Sequence, residues 1–421
     1  MGDRRRVVIV GAGFGGLTLA QALGGTRFDV ELLDRRNHHL FQPLLYQVAT
    51  SGLEPSDIAS AVRGIVKRYP NVRFASAEVV GADLAAKVLH TAGGREVAYD
   101  HLVLAAGATT ASFGVPGVDA HAFGLKTLDD AIRMRQHLLE QFERCAVDPT
   151  LVDRGALNVV VVGGGPTGVE MAGAVSELFG NVMRGDFPEV DVSAARIELV
   201  EMTDTILAPF HPRLQDHAIR QLEARGVHVR LAASVREVTP EAVQLDDGTA
   251  VPAATCVWAA GVKAEPLGEL LGLATGRGGR ITVQADLTVP GHPDVFAIGD
   301  VAAAVGRGGD PLPQQAPVAM QQARYVAKLL TRRDAGPPMR PFRYIDKGSM
   351  ATIGRRAAVA QVPGGIRVSG SLAWVAWLVL HIYFLIGYRN RLSVLLNWAW
   401  NYLTWDRAAR VVAGPVAARA P

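Results

Sequence analysis

Cysteine is nearly absent from this chain: Cys145 and Cys256 are the only two in 421 residues, far apart and outside any C-x-x-C. That excludes a disulfide framework, a cysteine-built zinc site and a dithiol redox centre, leaves no metal site to expect, and fits a reducing compartment. An excess of one charge is missing too. The 43 Lys and Arg against 40 Asp and Glu leave a formal net charge of +3, too small for this length to imply a nucleic-acid partner. Arginine outnumbers lysine, a bias that a GC-rich genome produces by itself. The basic residues at the amino terminus run straight into Gly11 without the apolar core and cleavage site of a signal peptide, so the cytoplasmic side is the expected location. Long apolar runs are scarce as well. Leu372 to Tyr388 is apolar except for His381, and its 17 residues sit at the lower limit for crossing a bilayer. The length allows two or three domains with sizeable cores.

Glycine, by contrast, is abundant and ordered. Val7-Val8-Ile9-Val10 is a buried-strand pattern that ends in Gly11-Ala12-Gly13-Phe14-Gly15-Gly16 and opens a helix from Leu17 to Leu23. A parallel strand needs this arrangement to deliver a dinucleotide pyrophosphate to a helix amino terminus. Gly11 permits the tight turn, Gly13 lets backbone N–H groups approach the phosphates, and Gly16 allows close packing of helix on strand. Asp34 ends the next strand, Val30 to Leu33, where a ribose hydroxyl needs an acceptor. The loop that follows, Arg35 to Thr50, is polar and aromatic; it either covers the cofactor or is a plain surface connection. Val72 to Val80 and Lys87 to Thr91 alternate like strands around a Gly93-Gly94 turn, and Tyr99 to Gly107 reads as a buried strand closing the first half-domain.

A mostly helical stretch from Thr127 to Cys145 leads to a second copy of the pattern. Val159 to Val162 runs into Gly163-Gly164-Gly165-Pro166-Thr167-Gly168-Val169-Glu170, and a strand from Arg196 to Glu201 again ends in an acid. Two such copies imply two dinucleotides, and the repeat is far more specific than either copy alone. Glu201 suits the free ribose of NADH, since Met202-Thr203-Asp204 offers no arginine for the extra phosphate of NADPH. Cys256 to Gly261 is a further buried strand ending in glycine. Pro293 to Asp300 places a carboxylate just past a strand, either as a helix cap or as an acceptor for the ribityl hydroxyls of a flavin. Gln315 to Leu330 has a helical pattern with Pro317 in its first turn, and its amino terminus would stabilise negative charge on a reduced flavin.

The carboxyl-terminal part changes character. Five of the six tryptophans fall between Trp374 and Trp405, in apolar segments punctuated by Arg389, Arg391, Arg407 and Arg410. This composition fits interfacial membrane helices, a buried dimer contact or a true span, in that order of preference.

Taken together, these residues resemble the type II NADH:quinone oxidoreductases, single-subunit NADH dehydrogenases that do not pump protons. The resemblance runs from about Val7 to Val412. It rests on both glycine fingerprints, Phe41-Gln42-Pro43-Leu44-Leu45-Tyr46-Gln47-Val48-Ala49-Thr50, Gly299-Asp300, Asp346-Lys347-Gly348-Ser349-Met350-Ala351-Thr352-Ile353-Gly354-Arg355, and the arginine-punctuated tryptophan tail. It implies an α/β fold of two Rossmann-like domains, glutathione-reductase-like, with a carboxyl-terminal membrane-associating helical region. The expected division is 1–115 and 282–345 for FAD, 116–281 for NADH and 346–421 for membrane and quinone access.

The resemblance further implies noncovalent FAD held by Gly11, Ala12, Gly13, Phe14, Gly15, Asp34, Asn37, His38, Gln42, Val79, Gly299, Asp300 and Ala319. NADH, as substrate, falls to Gly163, Gly165, Pro166, Thr167, Gly168, Glu201 and Gly261, and quinone to Pro317, Gln321 and Lys347. The family's quinone motif A-Q-x-A-x-Q reads Ala316-Pro317-Val318-Ala319-Met320-Gln321 here, so Pro317 replaces one expected donor. The family's glutamate after the second fingerprint maps to Glu170, which relays or stabilises protons, or else is a polar residue on a first helical turn.

The expected reaction is hydride transfer from NADH to flavin N5, then two-electron reduction of a menaquinone or ubiquinone. The expected partners are the cytoplasmic face of the cell membrane, bound peripherally, and a second copy in a homodimer. Competing readings are a sulfide:quinone oxidoreductase, which the cysteine positions oppose, a soluble flavoprotein reductase, and a nonenzymatic cofactor sensor.

Overall fold

A computed structural model describes residues 4–332, 339–404, 407 and 409–411. The chain forms two compact units. The first comprises Met1–Leu40, Ser60–Thr109 and Val262–Asp346. Its six-stranded sheet runs, from one edge to the other, Thr288–Val289, His292–Ala297, His101–Leu104, Arg6–Val10, Asp29–Asp34 and Val72–Ser76, with only the first strand antiparallel. Arg6–Val10 lies in the middle of the sheet and is buried from Val7 onward, as a parallel strand covered on both faces requires. Its register, Val10 opposite Leu33 and Leu104, carries Gly11 and Asp34 to the same carboxyl edge of the sheet. The Val72 to Val80 stretch is two strands rather than one. After Ser76 the chain leaves the main sheet, Ala77 N–H bonds the Asp34 carbonyl at 2.9 Å, and Val79–Asp83 starts a separate three-stranded meander with Val88–Thr91 and Glu96–Ala98.

The second unit comprises Phe41–Ala59, Thr110–Gly261 and Lys347–Pro421. Its five-stranded parallel sheet runs Ala122–Phe123, Thr255–Trp258, Val159–Val162, Ile197–Val200 and Val227–Arg230. Leu128–Val147 is one helix, started by a capping box in which Thr127 accepts from Asp130 N–H and Asp130 accepts from Thr127 N–H. Val160, Val162, Val200, Cys256 and Trp258 pack into the core on one face of the sheet.

The carboxyl-terminal region holds the expected helices and, ahead of them, a sheet. A three-stranded antiparallel sheet, Ser349–Gly354, Ala357–Val362 and Ile366–Ser369, precedes two helices, Gly370–Phe384 and Tyr388–Thr404. The long apolar run breaks at Gly387, whose φ of +92° suits glycine. What remains is a 15-residue helix, about 22 Å at 1.5 Å per residue, against a hydrocarbon core of about 30 Å. No helix among the described residues is long and apolar enough to cross a membrane, so the spanning alternative is set aside. Both helices nonetheless carry exposed apolar side chains, among them Leu372, Val375, Val379, Tyr383, Leu392, Leu396 and Leu403. Trp405 and Asp406 lie outside the described residues.

Candidate functional site

The two fingerprints fold by the same backbone mechanics. In the first, Gly11 has φ +106°, its N–H bonds the Leu33 carbonyl at 2.7 Å, and a Cβ there would come within 2.2 Å of Ala105 O. In the second, Gly163 has φ +110°, bonds the Val200 carbonyl at 2.8 Å, and a Cβ would sit 2.7 Å from the Ala259 carbonyl. Gly16 and Gly168 bring helix onto turn, where an added Cβ would be 1.8 Å from Gly11 O and 1.9 Å from Gly163 O. In both copies the strand-ending acid accepts the N–H of the fingerprint's second residue: Asp34 from Ala12 at 2.7 Å, Glu201 from Gly164 at 2.6 Å.

Gly13 and Gly165 differ from these. Each precedes its helix in extended backbone that any residue adopts, and a Cβ on either would meet no protein atom within 4 Å. Neither the fold nor the packing calls for glycine at these two places. A ligand's phosphates approaching the helix amino terminus do, so the residues present fit a dinucleotide in each cradle.

In the first unit three of the expected flavin residues, Gly15, Gly299 and Ala319, meet beside this cradle. Gly15 lies against Ile298 and Ala319, and Gly299, at φ +73°, brings its own backbone to Ala319. Asp300 lies inside the short turn Gly299–Val301, whose cap position belongs to Ile298, so the cap reading of Asp300 does not hold. Phe14 meets His39 edge to face at 5.2 Å, Asn37 and His38 directly follow the Asp34 strand, and Val79 is buried at the start of the meander. Two contributors were not legible from spacing: His39, whose ring bonds the Ala12 carbonyl at 2.9 Å, and buried Gln322, which accepts the Gly299 N–H at 2.6 Å. Pro317 is exposed in the first turn of Ala316–Arg332. Gln321, four residues on, uses both ends of its amide on Ile345, donating to its carbonyl at 2.9 Å and accepting its N–H at 3.0 Å.

In the second unit Glu201 also accepts from the N–H and hydroxyl of Thr203, at 2.8 and 2.9 Å, and Gly261 O accepts the Ala111 N–H at 3.2 Å. Pro166 and Thr167 are exposed in the first turn of the helix Pro166–Glu177. Gln42 donates to the Lys126 carbonyl at 2.9 Å, and Lys347 is exposed just ahead of Ser349–Gly354.

Glu170 sits on that same helix, where three distant segments converge. Gly173, one turn further, lacks a side chain, and a Cβ there would be 1.8 Å from Ile353 O. The bare helix face therefore lets the strand Ser349–Gly354 lie directly on it, which brings the Thr352 N–H to 3.4 Å from Glu170 Oε1. Tyr46, buried in the short helix Leu45–Ala49, faces the same carboxyl, as does Trp377 from Gly370–Phe384. The residue keeps some accessible surface, but its carboxyl is desolvated, and burial raises its pKa to about 8 against the opposing pull of the two N–H groups.

Behind this carboxyl is an aromatic wall. His381 stacks on Trp377 at 3.9 Å and donates to the Trp377 carbonyl at 2.7 Å; burial lowers its pKa to about 4, so the ring is neutral. Phe41 meets His381 edge-on at 6.1 Å. Trp398 donates to Gln47 at 2.7 Å, and Gln47 donates to the Tyr46 hydroxyl at 3.0 Å. The loop after the first cradle thus packs into the second unit around Glu170.

With this geometry in hand, known proteins can be set beside the chain. The pyridine nucleotide-disulphide oxidoreductase family matches residues 5–323, and the NDH2 C-terminal domain matches residues 347–405. The type II NADH:quinone oxidoreductase NdhA of Mycobacterium tuberculosis is 42% identical, over 96% of this chain and 88% of that protein. A second enzyme of that organism, Ndh, is 40% identical over 96% and 89%. Among solved structures, NDH2 from Plasmodium falciparum in complex with NADH superposes with a TM-score of 0.89 at 19% identity, covering 98% of this chain and all of that one. The sulfide:quinone oxidoreductase of Aquifex aeolicus gives 0.71 at 17% identity, covering 92% of each chain. At such identities the superpositions speak to the fold alone.

Proposed function

The chain belongs to the type II NADH:quinone oxidoreductases, and from that membership we propose how its own residues divide the work. It is an FAD-dependent enzyme that oxidises NADH and reduces quinone. The sulfide-oxidising and soluble-reductase alternatives are not favoured. Bound FAD supplies the two-electron link between the two substrates.

In this reading the first cradle holds FAD through Gly13 and its neighbours, and the second holds NADH through Gly165. Glu201 is already an acceptor of three hydrogen bonds, so its charge is fixed beside the ribose position and disfavours a 2′-phosphate. Gln321 serves quinone binding indirectly, as a clamp on Ile345, two residues ahead of Lys347. Lys347 and backbone groups are left to meet the headgroup, a menaquinone or a ubiquinone.

Glu170 is the proton donor for quinone reduction. The observation that carries this assignment is its desolvated carboxyl, which stays protonated near neutral pH and so has a proton to give. The steady-state pH profile tests it. Activity should fall as pH rises through about 8, and Glu170→Gln should be slow and flat across that range; a Gln variant with the parent's profile refutes the assignment.

The exposed apolar stripe on Gly370–Phe384 and Tyr388–Thr404 is the membrane contact, lying in the interface on the cytoplasmic face, from which quinone enters. Vesicle flotation decides between this and a homodimer closed over the same stripe. Flotation lost on replacing Leu372, Val379 and Leu396 with serine supports the membrane; a dimer that dissociates instead, with flotation unchanged, supports the second copy.

A further inference from the structure

Trp377 is among the largest fully buried side chains, 1% exposed, and its indole nitrogen makes no hydrogen bond of ordinary geometry. An indole N–H can only donate, and leaving such a donor dry and unpaired is costly, so its presence calls for an explanation. The polar group it bears on is the Glu170 carboxyl. The other donor to that carboxyl, Thr352 N–H, is also slack at 3.4 Å. Hydrogen bonds to an ionised carboxylate are shorter and stronger than those to a neutral acid, so two donors held loosely beside this carboxyl are placed to tighten on its charged form.

We propose that Trp377 is a positioning residue for proton transfer: its indole N–H and the Thr352 N–H form a two-donor cradle that closes on the Glu170 carboxylate once the proton has left. The inference rests on the reading of Glu170 as proton donor.

The ring is held for this task. His381 stacks on it at 3.9 Å and is tied to its backbone, and Trp398 packs on it at 5.9 Å while anchored to Gln47. It cannot swing to another acceptor without breaking that stack. Tyr46, buried in Leu45–Ala49, is an ionisable group that bears on the same carboxyl, and His381 stands behind Trp377. Glu177, further along the helix, is occupied by the Arg355 N–H at 2.5 Å and the Arg407 guanidinium at 3.7 Å, and Glu198 on the adjoining strand is paired with Arg230 at 2.5 Å. Burial drives the Glu170 carboxyl toward its neutral form, and the two N–H donors are what oppose it. Both come from the carboxyl-terminal region, so that region moderates the ionisation of a residue on the nucleotide-binding helix.

The test replaces the N–H and keeps the ring. Trp377→Phe, or benzothienylalanine at 377 where Phe packs poorly, is prepared as holoenzyme in the parent and Glu170→Gln backgrounds. Infrared titration of the protonated carboxyl band reads Glu170 directly. Loss of one donor to the charged form should move that titration, and the alkaline limb of quinone reduction, up by about one pH unit. Bleaching of the flavin by NADH should be unchanged, and the Glu170→Gln background should show neither shift. A folded variant whose Glu170 titration stays put overturns the proposal, as does a limb shift that survives in the Gln background. If Glu170→Gln alone leaves the pH profile intact, the proton-donor reading has failed, while the infrared titration still reports whether Trp377 holds the carboxylate.

Discussion

The two fingerprints share three glycines and a strand-ending acid, and of the positions where they differ one carries a buried carboxyl in the second copy alone. Gly11, Gly13 and Gly16 correspond to Gly163, Gly165 and Gly168, and Asp34 to Glu201. Counting on two residues from the third glycine, the first helix has Thr18 and the second has Glu170. Since one copy folds with a hydroxyl there, the geometry of the cradle does not require a carboxylate. The glutamate's carboxyl is desolvated and costly to ionise, and it stands in the copy whose helix meets the carboxyl-terminal sheet and tryptophans. On the proposed reading, the shared positions hold a dinucleotide and the divergent one handles protons.

The largest expected effect tests the shared positions. Gly16→Ala and Gly168→Ala each place a Cβ under 2 Å from a carbonyl oxygen and should cost more than about 4 kcal/mol, seen as loss of the folding transition in thermal melts. Gly173→Ala meets the same obstacle at Ile353 O and should both destabilise the protein and lift the strand carrying Thr352 from Glu170. Gly13→Val and Gly165→Val should do the opposite, leaving the melting of the apoprotein nearly unchanged because no protein atom is within 4 Å. The first should yield colourless protein, and the second yellow protein whose apparent affinity for NADH falls more than about tenfold. If both valine variants behaved alike, the assignment of one cradle to each dinucleotide would be wrong.

Smaller effects sharpen the divergent position. Because the folded-state pKa of Glu170 lies above that of the free side chain, its contribution is most favourable below the unfolded value of 4.5 and is lost as pH rises through about 8. The parent should lose stability relative to Glu170→Gln over that window, whereas Thr18→Val should show no pH-dependent difference. Smaller still, Glu201→Gln should narrow the preference for NADH over NADPH by about tenfold through loss of one fixed charge, read as a ratio of kcat/KM values.

What the sequence made legible follows from how local each signal is. The glycine turns, the strand-ending acids and the Thr127 cap are written within a few residues of where they act, and the structure places Gly11, Gly16, Gly163 and Gly168 in the predicted steric roles. Glu170 was legible as a candidate, but its surroundings were not: Thr352 lies 182 residues away in sequence, and Trp377 further still. In the sheet Ser349–Ser369, the strand Ser349–Gly354 owes its place to the bare helix face at Gly173, a contact that no local pattern announces. His39 and Gln322 were passed over for a similar reason, as each acts on a fingerprint or turn from a separate segment. Pro317 and Gln321 were legible as a motif, but the capture of the Gln321 amide by Ile345 appears only in three dimensions.

In the proposed mechanism Glu170 serves the quinone half of the reaction and not the NADH half. Anaerobic stopped-flow spectroscopy of Glu170→Gln separates them by following flavin bleaching with NADH and recovery of colour with quinone. The expected result is bleaching at the parent's rate and recovery slowed by about 100-fold. Recovery at the parent's rate, or a slowing confined to the bleaching step, would contradict it.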